Sequence, residues 1–274
     1  MNADRLDELE RALSVRPGAR VRLSDIDPAA THGVRKEEAS ELLQKNLRRL
    51  SALQYLLYAE ARRSLLVVLQ GIDAGGKDGT IRHVMSGLNP QGVRVTPFKV
   101  PEGAEKRHDY LWRVHQAVPE QGQIGIFNRS HYEDVLVVRV HSLVPKSAWQ
   151  KRYRQINDFE RMLSENGVTI LKFLLYISKE HQAVRFRQRL EDKSRNWKFS
   201  PADLKERGYW DQYIEAYEDV LRKCNTDWAP WYVIPANKKW FRNLAVSQVI
   251  VRALENMKLK YPKPAADLSG ITFE

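Results

Sequence analysis

The sequence predicts an α/β fold in which helices cover both faces of a parallel β-sheet. Apolar runs that lack strict alternation are separated by segments of helical periodicity, a pattern typical of strands buried on both faces. A glycine-rich loop stands between the first of these runs and a helical segment. With 274 residues, the chain is long enough to bury one large core, so we expect a single domain.

The elements follow one another in a regular order. Residues 1–35 contain turn-forming pairs such as Pro17-Gly18 and are expected to form an N-terminal surface segment. Residues 36–63 carry leucines at helical spacing beside many charges, which predicts a long amphipathic helix. The domain spans residues 36–260 and leaves 261–274 as a C-terminal tail. The same patterns predict strands at 64–70, 93–98, 123–127, 168–177 and 231–235, and helices at about 77–88, 103–118, 146–166 and 238–258.

The loop after the first strand has the spacing of a phosphate-binding loop. It reads Gly71-Ile-Asp-Ala-Gly-Gly-Lys-Asp-Gly-Thr80, in which Gly71, Gly76 and Lys77 match the P-loop (Walker A) pattern. In such a loop, backbone N–H groups and a helix N-terminus surround phosphate oxygens, while the lysine adds a positive charge. Three fixed positions are a weak signal alone, and Asp78 stands where a metal-binding Ser or Thr is expected. We expect the phosphates to lie against Gly71, Ala74, Gly75, Gly76, Asp78, Gly79 and Thr80.

A carboxylate inside the loop points to a metal ion. Asp73 would repel phosphates unless a cation lay between them, so we interpret it as a Mg²⁺ ligand or a positioning base. The alternative is that Asp73 caps the following helix. Asn128, which ends the next-but-one strand, occupies the place of a second metal-binding carboxylate. Either Glu133 or Asp134 is the candidate to supply the missing charge.

Arg129 and His131 follow the same strand, at the edge where open parallel sheets bind their ligands. Arg129 is expected to contact phosphate, and its pairing with a neighbouring carboxylate is the alternative. His131 is a candidate phosphate acceptor or proton donor, but a hydrogen-bonded structural histidine is the commoner case.

A basic helical insertion lies between the last two predicted strands. Such a run alone indicates a solvated basic surface, but after a P-loop it predicts a lid that closes over phosphates and excludes water. We place this lid at about residues 179–207. Its cations are Lys179, Arg185, Arg187, Arg189, Lys193, Arg195 and Lys198.

The charge balance indicates a polyanionic partner. The 45 Lys and Arg residues exceed the 34 Asp and Glu residues, which gives a net charge of +11. Nucleic acid, anionic lipid and polyphosphate all fit that charge. No leader and no membrane-spanning run is recognisable, so we expect a soluble, cytoplasmic protein without a membrane partner. The single cysteine, Cys224, excludes an internal disulfide framework and is expected to be a packed side chain.

Four motifs in order along the chain resemble the polyphosphate kinase 2 family. The resemblance runs from about residue 36 to residue 260. It implies a thymidylate-kinase-like P-loop fold with a helical lid, and a reversible, Mg²⁺-dependent transfer of the terminal phosphate between inorganic polyphosphate and a nucleotide. The motifs are Gly71-Ile-Asp-Ala-Gly-Gly-Lys-Asp-Gly-Thr80, Asp109-Tyr-Leu-Trp-Arg-Val-His115, Phe127-Asn-Arg-Ser-His-Tyr-Glu-Asp134 and Trp231-Tyr-Val-Ile-Pro-Ala-Asn237.

The resemblance also implies roles for single residues. Asp73 and Lys77 match the family's loop aspartate and lysine, and Arg129 matches its phosphate-contacting arginine. Asn128 departs from the aspartate of most members and, with His131-Tyr-Glu-Asp134, resembles the subgroup that accepts both AMP and ADP. We therefore expect direct in-line transfer that converts AMP to ADP and ADP to ATP, with Asp73, Lys77, Arg129 and Arg189 as catalytic residues. Arg185, Arg189 and Lys198 fall among the family's lid cations.

Two other functions share part of this pattern. An ATP-dependent nucleotide kinase has the same fold and loop, although no adenine pocket for an ATP donor is recognisable. A nucleic-acid-binding protein would place its positive charge on phosphate backbones, but here the cations concentrate after the P-loop, so no nucleic-acid partner is expected. We expect a homo-oligomer, dimer or tetramer, for which the helix at 36–63 is a candidate interface, although core packing explains its leucines equally well.

Overall fold

Five parallel strands form one sheet. The computed structural model describes residues 3–194, 196–264 and 266–267. Each strand pairs in parallel with its neighbours, in the spatial order β2-β3-β1-β4-β5. The predicted fold is confirmed, and each strand lies where the sequence predicts it. The strands are β1 (Ser64–Gln70), β2 (Val93–Pro97), β3 (Ile124–Asn128), β4 (Val168–Tyr176) and β5 (Trp231–Pro235).

Helices pack on both faces of this sheet. The α-helices are α1 (Ala3–Leu13), α2 (Lys36–Glu60), α3 (Lys77–Val84), α4 (Trp112–His115), α5 (Val137–Val140), α6 (Lys146–Glu165), α7 (Lys179–Glu191), α8 (Pro201–Arg207), α9 (Trp210–Lys223) and α10 (Lys239–Asn256). Helices α1, α2, α3 and α10 pack with Leu65, Val67 and Leu69 of β1, and α6 and α9 pack with Leu66 and Val68. Alternate side chains of the central strand therefore contribute to two separate cores.

The N-terminal segment packs against the domain. Leu9 and Leu13 of α1 are buried in the core that α2 and α10 share. The N–H of Val15 donates to the carbonyl of Trp231 at 3.0 Å, and Ser14 forms a bridge with Tyr232 in β5. These contacts attach residues 3–15 to the β5 edge of the sheet. The boundary at residue 36 remains a prediction, and most of the predicted 261–274 tail lies outside the described residues.

Two predictions about the elements are corrected. The helix predicted at 103–118 is broken into a 3-10 turn at Gly103–Arg107 and the short α4. The break comes from a local hydrogen bond, because the Asp109 carboxylate accepts from the N–H of Leu111 at 2.9 Å. Strand β2 is an edge strand with partly exposed residues, so this part of the sheet is not covered on both faces. Within the described part of the chain, no helix combines the length and apolarity that crossing a bilayer requires.

A buried polar cluster fixes the turn that follows β3. The Lys172 ammonium on β4 donates to Glu160 at 2.6 Å, to the Tyr132 hydroxyl at 2.8 Å and to the carbonyl of Cys224 at 2.7 Å. The second oxygen of Glu160 contacts the Tyr132 hydroxyl at 2.8 Å and Nε2 of His131 at 3.0 Å. Burial alone would raise the pKa of Glu160, but Lys172 and His131 hold it below its ordinary value. The cluster therefore ties α6, β4 and the turn at His131–Asp134 into one unit.

We expect Lys172→Met to lower the free energy of unfolding by about 3–5 kcal/mol, because it leaves the Glu160 carboxylate buried without its cation. Urea denaturation measures the loss. The double variant Lys172→Met with Glu160→Gln removes both charges and should recover a large part of that stability. A single variant as stable as wild type would contradict an ionised pair.

Candidate active site

The glycine-rich loop lies at the carboxyl ends of the strands, between β1 and α3. Gly76 precedes α3 with φ +105°, a conformation that side chains rarely adopt. A Cβ at Gly76 would lie only 2.0 Å from Nη1 of Arg242, and a Cβ at Gly71 would lie 2.8 Å from the carbonyl oxygen of Leu175. A side chain at Gly71 would thus collide with backbone, and one at Gly76 would be strained by the positive φ and would have to displace Arg242.

Two side chains of α7 hold the loop in place. The Arg185 guanidinium donates to the carbonyls of Ala74 at 2.6 Å and Gly75 at 3.0 Å, and Gln182 donates to the carbonyl of Asp73 at 2.9 Å. Arg185 is 6% exposed. The two terminal nitrogens of Arg185 already donate to carbonyl groups, so in this structure the side chain holds the loop, and its contact with phosphate remains a prediction.

Lys77 begins α3 and its ammonium donates to the carbonyl of Gly71. Burial lowers the pKa of Lys77, and the nearby Arg129 guanidinium lowers it further, while Asp73 and Glu133 oppose both effects. A phosphate oxygen bound beside Lys77 would therefore stabilise the charged form of this lysine. Thr80, in contrast, is buried, and its hydroxyl donates to the carbonyl of Gly76 at 3.2 Å.

Arg129 joins the end of β3 to the loop. Its N–H donates to the carbonyl of Leu69, and its guanidinium lies 2.9 Å from Asp73 and 3.8 Å from Glu133. Burial raises the pKa of Glu133, although Arg129 and Lys77 partly oppose that shift. Two carboxylates and one guanidinium therefore converge beside the loop, and the metal and phosphate roles of Asp73, Arg129 and Glu133 remain predictions.

Asp78, in the position of the usual Ser or Thr, links three elements. Its carboxylate accepts from the Asn128 amide at 2.9 Å and from Lys198 at 3.4 Å. Partial burial opposes ionisation, but these two donors lower the pKa of Asp78. The side chain therefore connects α3 to β3 and to the insertion that follows α7.

The predicted lid is helical and lies over the loop. It comprises α7, a 3-10 turn at Asn196–Lys198 and α8, and Arg195 lies outside the described residues. Arg189, a predicted catalytic residue, lies on α7 with Nη1 3.8 Å from Asp203 of α8. Arg189 and Lys198 are thus placed at the edge of the site and remain predicted phosphate ligands.

Two residues predicted in the site project elsewhere. His131 is buried against Glu160 and does not reach the phosphate loop. Asp134 accepts from Arg152 of α6 at 2.8 Å, and burial raises its pKa to about 6 although Arg152 opposes that shift. The 3-10 turn at His131–Asp134 points neighbouring side chains in different directions. Of its two acidic residues, Glu133 borders the site and Asp134 does not.

A cavity of about 290 Å³ lies between the loop and the lid. Its carboxylates indicate a cation, and Mg²⁺ commonly takes one or two protein carboxylates and completes its shell with water and substrate phosphates. Among the described residues, no group of three or more His, Cys, Asp or Glu side chains forms a ready metal cluster. Asp73 and Glu133 fit that mode of Mg²⁺ binding. The charged and aromatic groups that line the cavity are Asp73, Arg129, Glu133, Asp203, Glu206, Tyr213 and Tyr217.

Comparison with known proteins identifies the family. The model of the family described as Polyphosphate kinase 2 (PPK2) matches residues 33–262. The chain belongs to the polyphosphate kinase 2 family. The resemblance drawn from the four motifs is thereby confirmed.

Relatives of this polyphosphate kinase 2 family member cover nearly its whole length. It is 54% identical over 262 residues to the AMP/ADP-polyphosphate phosphotransferase of Meiothermus ruber, covering 95% of this chain and 98% of that protein. It is 49% identical to the ADP-polyphosphate phosphotransferase of Rhodopseudomonas palustris, covering 83% of each chain. The crystal structure of polyphosphate kinase 2 from Arthrobacter aurescens TC1 is similar with a TM-score of 0.92 at 43% identity, covering 95% of this chain and 94% of that one.

Sequence reasoning missed several residues of the site. Asp203 and Glu206 of α8 line the cavity, and the Tyr213 hydroxyl donates to Glu206 at 2.9 Å. Arg242, which touches the loop, was also missed. For Arg242 a signal exists, since it is the one arginine within the apolar run Trp240-Phe-Arg-Asn-Leu-Ala-Val246.

We expect Gly76→Ala to lower the free energy of unfolding by about 1–3 kcal/mol, because the new Cβ is strained at φ +105° and collides with Arg242. Urea denaturation measures the change. Gly79→Ala is the matched control, since its Cβ would lie 3.2 Å from Arg242 and alanine favours the helix. A Gly76→Ala protein as stable as wild type would show that Arg242 can withdraw from the loop.

Proposed function

We propose that the protein transfers the terminal phosphate of inorganic polyphosphate to AMP and ADP, forming ADP and ATP in a reversible reaction. The observation that carries this proposal is the convergence of Lys77, Asp73, Arg129 and Glu133 at the P-loop of a polyphosphate kinase 2 family chain. The relatives named for polyphosphate phosphotransfer support polyphosphate as the donor over ATP, and they favour a kinase over a nucleic-acid-binding protein.

Each group has a distinct part in the reaction. Loop N–H groups and Lys77 bind phosphate oxygens of the donor chain. Asp73 and Glu133 would hold Mg²⁺, which when bound neutralises phosphate charge and orients the transferring group. Arg129, paired with Asp73 and close to Glu133 in this structure, turns to oxygens of the transferring phosphoryl group. Arg189 and Lys198 close over the phosphates with the lid and exclude water.

Direct in-line transfer is part of the proposal. The nucleotide's terminal phosphate oxygen attacks the terminal phosphorus of polyphosphate, and the shortened polyphosphate leaves. The position of His131 supports this route, because the histidine next to the site is buried against Glu160 and is not available as a phosphate acceptor. Chemistry then depends on positioning and charge neutralisation by the cations around the loop.

Two wider expectations belong to the same proposal. We place the reaction in the cytoplasm and expect the protein to act as a dimer or tetramer. Leu50, Leu53 and Leu57 of α2 pack in the core, so the leucine stripe is not free for assembly. Tyr55 and Tyr58 on the outer side of α2 are exposed and remain the candidates for such a contact.

The donor assay decides the proposal. Wild-type protein incubated with polyphosphate, Mg²⁺ and either AMP or ADP should form ADP and ATP, which chromatography quantifies. Lys77→Met should lower kcat/KM on the order of 10²–10³-fold, because a positioned cation is lost from the transition state. Lys45→Met, which removes an exposed lysine of α2, is the matched control. Phosphate transfer from ATP but not from polyphosphate would overturn the proposal.

The lowered pKa of Lys77 predicts the alkaline pH dependence. The charged form binds phosphate, so kcat/KM for polyphosphate should fall as the pH rises through the pKa of Lys77, below the ordinary lysine range. Lys77→Arg should move this fall to higher pH, since a guanidinium stays charged there. A pH–rate profile of each protein gives the measurement, and an identical alkaline limb in both would assign it to a different group.

A further inference from the structure

Two buried arginines meet behind the P-loop, outside the cavity. Arg242 of α10 is 2% exposed, with Nη1 at 2.0 Å from the position of a Cβ on Gly76 and Nη2 at 3.2 Å from that of a Cβ on Gly79. Nη1 of Arg185 lies 3.5 Å from the same Gly76 position. The two guanidinium groups thus contact the loop at Gly76, the residue before α3, and neither lines the cavity.

Neither guanidinium has an acidic partner. All acceptors of Arg185 are backbone carbonyls, those of Ala74, Gly75, Ala236 and Asn237. Arg242 donates through Nε and Nη2 to the amide oxygen of Asn243, at 3.1 and 2.8 Å. Throughout the described part of the chain, no carboxylate lies within ion-pair distance of either side chain.

Burying two unpaired cations side by side opposes folding. Burial, with the charge of Arg185 as the second cause, lowers the pKa of Arg242 to about 10. Burial also lowers the pKa of Arg185 to about 10, with Arg189 as the second cause. Because the folded pKa values lie below the unfolded ones, this cost is fully present below about pH 10 and declines only above it. At neutral pH a nearby anion would reduce this cost.

The hydrogen bond between Arg185 and the loop fixes the orientation of one peptide plane. The Arg185 guanidinium donates to the carbonyl of Gly75 at 3.0 Å. In a trans peptide the following N–H, that of Gly76, points the opposite way. That N–H therefore faces away from Arg185, as a P-loop amide that meets phosphate must face away from the carbonyl's partner. Arg242 lies against the first turn of α3, where the helix dipole is already positive.

We propose that Arg242 and Arg185 are positioning residues for the polyphosphate chain, whose buried charge fixes the loop amides and raises the affinity of the P-loop for phosphate. The proposal rests on the proposed function only in naming polyphosphate as the chain that the loop binds. Neither arginine touches the reacting atoms, so the pair acts on phosphate binding more than on the chemical step.

The test removes the charge of Arg242 and follows ligand-induced stability. Arg242→Met should leave the Tm of the free protein equal to or above that of wild type, and should reduce the Tm increase produced by saturating inorganic tripolyphosphate by at least half. Its KM for polyphosphate should rise by about tenfold, with a smaller change in kcat. Arg242→Lys, which retains a charge, should restore most of the Tm increase with tripolyphosphate and most of the wild-type KM. Arg252→Met is the matched control, because it removes another arginine of α10, one that pairs with Asp7 of α1.

Two results would overturn the inference. The first is a lower Tm for free Arg242→Met with an undiminished tripolyphosphate increment, which is the signature of packing alone. The second is Arg242→Lys being as defective in phosphate binding as Arg242→Met. Should Arg242→Met fail to fold, Arg242→Gln is measured in the same way, with the same two results as refutation.

The same experiment separates this inference from the proposed function. If ATP stabilises the wild-type protein and tripolyphosphate does not, the donor assignment fails. The role of the pair is then decided with ATP as the probe, by whether Arg242→Met reduces the ATP increment while Arg252→Met does not.

Discussion

Repulsion among four cations around one short loop is the constraint on which the site depends. Lys77 and Arg129 lie on the cavity side, and Arg185 and Arg242 lie behind the loop. Without phosphate, Asp73 binds Arg129 with Glu133 nearby, while carbonyl groups bind Arg185. A phosphate chain on the cavity side would add charge-assisted hydrogen bonds to Lys77 and Arg129. The positive charge of these four side chains is thus only partly compensated within the protein, and substrate phosphate would supply further negative charge.

The sheet supplies the rigid frame that this charge requires. Strands β1 and β3 are neighbours, so the loop after β1 and Arg129 after β3 necessarily meet at one edge. Beneath that edge, the Lys172 and Glu160 pair fixes the turn after β3. The same turn projects Glu133 toward the cavity and His131 into the interior. A purely structural pair therefore decides which polar residues of the second motif can reach the substrate.

The sequence was sufficient for the strands and for the position of the loop. Apolar runs located every strand, and the P-loop motif located Asp73 and Lys77. The directions of several side chains at the site could not be predicted, because the partners that decide them are distant in sequence. Asp134 is held by Arg152 and His131 by Glu160, and Arg185 turns inward to the loop carbonyls. The prediction of one helix at 103–118 was wrong for a local reason. The Asp109 side chain forms a turn with Leu111, and the spacing of apolar residues does not reveal such a turn.

The attachment of the N-terminal segment to β5 has a consequence for synthesis. Val15 pairs with Trp231, and α2 shares its core with α10, so residues of the N-terminal segment pack against residues that are made much later. Such distant pairings form slowly, because the chain loses the entropy of closing a long loop before any stabilising contact has formed. As the chain leaves the ribosome, the apolar faces of α1 and α2 have no permanent cover until α10 emerges. A nascent chain of this topology is therefore a natural client for chaperones.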